Sequence, residues 1–343
     1  MKKAAILIIF INFILVANSL GQDQIYTQFF NAPNLINPGF TGSALEFKAS
    51  LNTRVQWPAL DIPFINNAIT LDYNMQNFNS GVGAMIVNDR FGDLSSTSFN
   101  LLYSYKININ KQWVVAPGLQ YGYVMRNFNQ QNFLFGSEII GNVDDQDYLQ
   151  FGSPQRNYFD FSTGVIFFNS RYWFGFSAAH LNNPNVSILE NEDILDTRWS
   201  IHAGGKFELG NGMSRLRNKG SMPYINPAII YFRQGNFDQL DLGMQVFFQP
   251  MVFGAWYRGI TVTQEQAIQP NNSIALLLGV AYDRFEFAYS YDFLLSGLGG
   301  RSGGAHEVSV SYQFKAINRN KKKRRRRYNA APPFLRDKWW DVN

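Results

Sequence analysis

Few side chains in this sequence are of a type that does acid–base or ligand chemistry. The 343 residues contain three histidines, His180, His202 and His306, and no cysteine. His306 stands beside Glu307, a pairing that an acid–base mechanism uses only if both side chains reach one point. In a β-strand, neighbours face opposite sides, so the pair makes a poor couple unless the strand is bulged. No nucleophile is spaced from a base and an orienting group in the way covalent catalysis needs. The expectation is a protein that is not an enzyme and has no catalytic residue, metal or cofactor. Gly297, Gly299, Gly300, Gly303 and Gly304 resemble a phosphate loop only superficially. Such a loop needs Lys-Ser/Thr and a helix after its last glycine, whereas here Ala305 and a strand pattern follow. The glycines read as a tight outer loop.

The elements that would position these residues alternate with a period of two. Thr97, Phe99, Leu101, Tyr103, Tyr105, Ile107 and Ile109 share one face. Ser96, Ser98, Asn100, Leu102, Ser104, Lys106 and Asn108 share the other. Val308, Val310, Tyr312 and Phe314 alternate with Glu307, Ser309, Ser311 and Gln313. That is the signature of strands with one apolar face. Fourteen such segments are expected, near 46–54, 65–75, 80–90, 94–109, 111–124, 158–169, 172–181, 198–209, 222–233, 236–248, 250–258, 272–282, 284–291 and 304–314.

Tight turns and longer loops roughly alternate between these segments, as in bacterial outer-membrane barrels. A soluble β-sandwich would also alternate. However, the segments approach the roughly nine to eleven residues of a membrane strand. Charged residues make up only 16% of the chain and aromatics another 16%, against about 25% charged in soluble domains. The expected fold is all-β: a transmembrane antiparallel β-barrel of about 14 strands over 46–314. Tyr103 should face lipid and tolerate arginine poorly, and Ser104 should tolerate it much better.

Both ends of the chain differ from this body. Residues 1–21 read as a signal peptide: Lys2 and Lys3, an apolar run from Ala4 to Val16, and Ser19-Leu20-Gly21 as the cleavage signal. Residues 22–45 contain Pro33 and Pro38, which would interrupt strand pairing. Phe29, Phe30, Leu35, Ile36 and Phe40 would be left wet in a disordered leader. A segment that plugs or lines the periplasmic mouth is the reading preferred over such a leader.

Residues 315–343 form a basic tail. Lys321, Lys322, Lys323, Arg324, Arg325, Arg326 and Arg327 are consecutive, and Trp339 and Trp340 follow. Between Gln22 and Phe314 there are 17 basic and 23 acidic residues, so the body is acidic and the tail basic. After an export signal the tail would not meet nucleic acid. Anionic headgroups or an acidic periplasmic partner remain, and the two tryptophans suit docking. An even strand count puts both termini in the periplasm. In the first outer loop, Trp57-Pro58 reads either as a belt residue with a rigid turn or, with Arg54, as a docking anchor.

Five stretches resemble one family in the expected order: "QFFNAPNLINPGFTGS" (28–43), "RVQWPAL" (54–60), "NDRFG" (88–92), "HLNNPN" (180–185) and "LSGLGGRSGGAHEVSVSYQF" (295–314). They are similar to the PorP/SprF outer-membrane proteins of Bacteroidetes. Ala305 departs from a serine expected there, and the tail runs past the end of such a barrel. The resemblance implies a component of type IX secretion and the associated gliding machinery. It would serve export or surface retention of an adhesin-like secreted protein and touch periplasmic ring or lipoprotein components. The alternative is an outer-membrane channel for small apolar or aromatic substrates, with residues 28–43 as its hatch.

Overall fold

A computed structural model describes residues 23–44, 47–129, 154–188, 192–209, 223–262, 272–295, 299–314 and 332. Among them, the alternating segments form β1 (Phe47–Gln56), β2 (Phe64–Met75), β3 (Ser80–Phe91), β4 (Leu94–Tyr105), β5 (Ile107–Asn108), β6 (Val114–Phe128), β7 (Gln155–Phe168) and β8 (Tyr172–Ala179). The series continues with β9 (Arg198–Gly205), β10 (Phe207–Glu208), β11 (Tyr224–Gln234), β12 (Phe237–Phe248), β13 (Met251–Ile260), β14 (Ser273–Tyr282), β15 (Phe285–Leu294) and β16 (Ala305–Gln313).

Neighbouring strands pair antiparallel, and β16 pairs with β1, opposing Arg54 to Glu307. The pairing of β9 with β11 completes the ring. The result is a closed barrel of fourteen strands, with the two-residue β5 and β10 as additions. Closure leaves no unpaired edge, which is what lipid demands of a sheet. The expected strands 94–109 and 198–209 are each interrupted, at Lys106 and Lys206. There the backbone N–H donates to the carbonyl of Asn79 and of Arg171, both at 2.7 Å.

Tight connections at 76–79, 169–171, 249–250 and 283–284 mark the turn end of the barrel. The connections at 57–63, 180–197 and 295–304 mark the loop end. The two-residue turns Gly92-Asp93 and Gly235-Asn236 also fall at the loop end, so length alone does not mark the side.

The outer face is apolar: Ile69, Ile86, Phe99, Leu101, Phe176, Leu276 and Val310 are all exposed. Tyr73, Tyr105, Tyr282, Phe285 and Phe314 ring it at the turn end, and Phe91, Phe159, Trp199 and Phe293 at the loop end. Two aromatic girdles around an apolar band are how a barrel meets its membrane interfaces. The inner face carries Ser50, Asn52, Asn66, Thr70, Asn100, Ser104, Ser200 and Ser309, all buried. Ser104 therefore departs from its expectation. Its hydroxyl donates to the Thr41 carbonyl at 2.5 Å, with no exposed surface. An arginine there would not reach water; it would meet packed chain.

Candidate functional site

That packed chain is residues 23–44. Pro33 and Pro38, which cannot join a ladder, instead open two short 3-10 turns, Pro33–Leu35 and Pro38–Phe40. A proline is tolerated at such a first position because its missing N–H has no partner there anyway. Asn37 caps the second turn, its Oδ1 accepting the Gly39 N–H at 2.7 Å. Its Nδ2 donates to the carbonyls of Val165 and Phe176 at 3.1 and 3.0 Å.

The segment runs the whole length of the lumen. At the loop end the Asp23 N–H donates to Gln234 Oε1 at 3.1 Å, and Gln24 bonds Gln56 at 3.3 Å. At the turn end the Ala44 carbonyl accepts from Asn74 at 3.0 Å. Phe29, Ile36 and Phe40 are buried with Val114, Ile166, Phe168, Trp173, Phe232 and Trp256, and the half-buried Phe30 packs against them. The Phe29 and Trp256 rings meet edge to face with centroids 5.3 Å apart.

Small residues in the wall make room for this. A Cβ on Gly118 would lie 2.3 Å from the Pro38 carbonyl carbon, and one on Gly81 would lie 2.2 Å from the Thr41 oxygen. On the segment's side, Gly42 takes φ +68 and its own Cβ would stand 2.4 Å from Gly81 Cα. Any side chain there is both strained and blocked.

Buried charges hold the segment near the loop end. Arg54 lies 2.6 Å from Asp292 and 3.2 Å from Glu307, and Arg258 lies 2.7 Å from Asp292 and 3.0 Å from Asp241. All five side chains are almost wholly buried. Thr27 sits among them: its hydroxyl accepts from both Arg54 and Arg258, and its N–H donates to Glu307. Charges in such a place persist only when paired and hydrogen-bonded. Arg54 is thus corrected from an outer-loop anchor to a lumen residue, because it shares the inward face with Ser50 and Asn52. A recess of about 110 Å³ opens beside it at the loop end. It is lined by polar groups, including Gln24, Gln56, Asp238, Gln239 and Arg258.

A second polar cluster fixes Asp23. His180, the first residue after β8, has φ 59. Its Nε2 is 2.6 Å from Asp23 and its Nδ1 2.9 Å from Asp160, so both ring nitrogens act as donors and the ring is an imidazolium. Arg198 adds a contact to Asp23 at 2.9 Å. Burial pulls the His180 pKa down, but the Asp23 charge and both hydrogen bonds outweigh it and push the pKa up to about 10. Burial raises the Asp23 pKa, yet His180 and Arg198 hold it well below the usual carboxylate range.

Both shifts make the stability of the fold depend on pH. The raised His180 contributes fully below its unfolded value of about 6.5, and that contribution is lost as pH rises through about 10. The lowered Asp23 contributes above about 3.9, and its share is lost as pH falls below that. The midpoint of urea unfolding should therefore decline between about pH 6.5 and 10, and His180→Gln should flatten that decline. An equally steep decline in the variant would show that another group is responsible.

The remaining sites of the sequence reading lie apart. Trp57, half-buried and at φ 57, sits where β1 leaves the barrel, and its N–H donates to the Gly304 carbonyl at 2.8 Å. Left-handed backbone at a tryptophan is a strain the fold must hold in place. Pro58, Ala59, Leu60 and Ile62 are exposed beside it. Ala59 bonds the carbonyl of Ser302, the last residue of a one-turn helix, α1 (Gly299–Ser302). The glycine loop thus zips onto the first loop.

His306 faces outward, 2.8 Å from the Tyr289 hydroxyl, whereas Glu307 faces the lumen. The two do not form an acid–base pair. His202 is buried beside Asn37 at 3.2 Å. The basic run, Trp339 and Trp340, and the expected signal peptide fall outside the described residues. The termini, expected on one side, fall outside the described residues; the wall itself begins at Phe47 and ends beside Phe314, both at the turn end. Asp23 is at the loop end, because the segment traverses the lumen. Parity along β1, β15 and β16 carried a readable signal for the charge cluster. Arg54 shares a face with Ser50 and Asn52, Asp292 with Ser290, and Glu307 with Ser309.

The architecture defines a class: an outer-membrane β-barrel threaded by its own N-terminal segment. The chain belongs to the PorP/SprF family, since the model for the type IX secretion system membrane protein PorP/SprF matches residues 18–312. It is thus a membrane component of type IX secretion, a role that implies contact with other parts of that machinery. No curated protein matches the chain. Among solved structures it is similar to the toluene transporter TbuX of Ralstonia pickettii. Their identity is 10% and the TM-score 0.48, covering 83% of this chain and 94% of that one. It is also similar to the CymD monoaromatic hydrocarbon channel, at 12% identity and a TM-score of 0.44, covering 86% and 95%. A third is the KdgM porin, at 8% identity and 0.35, covering 78% and 99%.

Proposed function

We propose that this protein is a non-enzymatic docking component of type IX secretion. It would serve export or surface retention of an adhesin-like secreted partner, in association with gliding. The observation that carries this reading is the filled lumen: residues 23–44 occupy it from Gln234 to Asn74. A barrel stoppered by its own chain works through its faces. The loop end is taken to face outward, where Trp57 and Pro58 present a stiff, partly apolar surface to the partner. The turn end then faces the periplasm. From there Lys321 to Arg327, with Trp339 and Trp340, reach ring or lipoprotein components of the machinery.

The channel reading takes second place. The open recess at the loop end is lined mainly by charged and amide side chains, a poor surface for apolar cargo. Trp57→Ala should release a particular surface protein into the medium while the barrel still assembles, read by blotting medium and cell fractions. Unchanged display in that variant, and in one with residues 130–153 replaced by an unrelated loop, would remove the docking role.

A further inference from the structure

The wall grips the segment by its main chain as well as by its side chains. Glu307 accepts the N–H groups of Thr27 and Gln28 at 2.8 and 2.9 Å. Lys48 donates to the Asn31 carbonyl at 2.7 Å, Ser177 to that of Ile36 at 2.7 Å, and Ser104 to that of Thr41 at 2.5 Å. Asp72 accepts the Gly42 N–H at 2.5 Å, and Lys106 donates to the Gly42 carbonyl. The segment contributes no strand to the ring, which closes through β16–β1 and β9–β11 without it. In its contacts it behaves as a bound peptide that happens to be covalently attached.

We infer that the lumen is a peptide-binding site, at present occupied by the chain's own residues 23–44, and that it accepts a segment of the same kind from another polypeptide. The ligand class is set by the trough between Gly81 and Gly118. It is a chain with an Asn-Pro-Gly turn and a second glycine three residues on, as in Asn37-Pro38-Gly39-Phe40-Thr41-Gly42. A Cβ at the first of those glycines would stand 2.7 Å from the Ala116 carbonyl, and one at the second 2.4 Å from Gly81 Cα. Residues with side chains are therefore excluded at both positions. Covalent attachment close to β1 gives the resident segment a high effective concentration, so an incoming chain enters only where that advantage is removed. The inference rests on the reading that the partner is a secreted polypeptide, whose chain would be the natural competitor.

The test uses the full chain with a protease site inserted between Ala44 and Phe47. The protein is folded in detergent, cleaved, then unfolded and refolded with excess fluorescent peptide of residues 23–44. The native-sequence peptide should enter the folded barrel saturably. A scrambled peptide, and one carrying Gly42→Leu, should each bind at least about tenfold more weakly. If barrels that run as folded on a gel take up no native-sequence peptide, or take up the scrambled one equally, the inference is wrong. This measurement needs no partner and no cells, so it stands or falls separately from the release of a surface protein by Trp57→Ala.

Discussion

Arg54→Met should lower the stability of the folded barrel by about 3–5 kcal/mol, the usual cost of stripping one partner from a buried charge cluster. The side chain is 5% exposed and lies between Asp292 and Glu307. Methionine preserves much of the bulk but leaves three carboxylates, Asp241, Asp292 and Glu307, with only Arg258 to balance them. The loss should therefore come from uncompensated charge and not from packing. Arg54→Met combined with Glu307→Gln should recover a large part of it. Urea titration of the fast-migrating, unheated band on a gel reads both variants. A loss below about 1 kcal/mol for the single variant would mean the cluster is hydrated and the segment does not close over it.

Leu101→Arg should cost about 2–4 kcal/mol when the barrel is refolded into lipid vesicles, because it would place a charge on the outward face near mid-height. Leu101 is 66% exposed and lies between Ala84 and Tyr121 on the neighbouring strands. Tyr103→Arg, two residues nearer the turn end, should cost less, since the penalty fades towards the interfaces. A neutral Leu101→Arg in vesicles would show that this face does not meet lipid.

The strands were legible because each needs only one piece of local information, the parity of apolar residues, and parity survives without any partner being known. The same parity places Arg54 with Ser50 and Asn52, and Glu307 with Ser309 and Ser311, so their inward direction was readable. Their meeting was not. It depends on β1 closing against β16 in a register that opposes Arg54 to Glu307, and no local pattern states which distant strands pair. Pro33 and Pro38 marked residues 22–45 as something other than a strand, and the aromatics marked it as buried. The depth of its path was hidden, because it depends on glycines scattered across four strands, Gly81, Gly118, Gly164 and Gly175. Each of these reads in the sequence as an ordinary weak point of a strand. Arg54 was misplaced by its neighbours Trp57 and Pro58, which do lie at the loop end.

Central to this account is a barrel whose lumen is closed by its own chain, and electrical recording tests that most directly. Purified full-length protein reconstituted in a planar lipid bilayer should give no current steps above the bare membrane. Cleavage between Ala44 and Phe47 followed by urea wash should produce steps that the peptide of residues 23–44 blocks. Stable, ohmic steps from the intact protein would contradict the account and make the barrel an open pore.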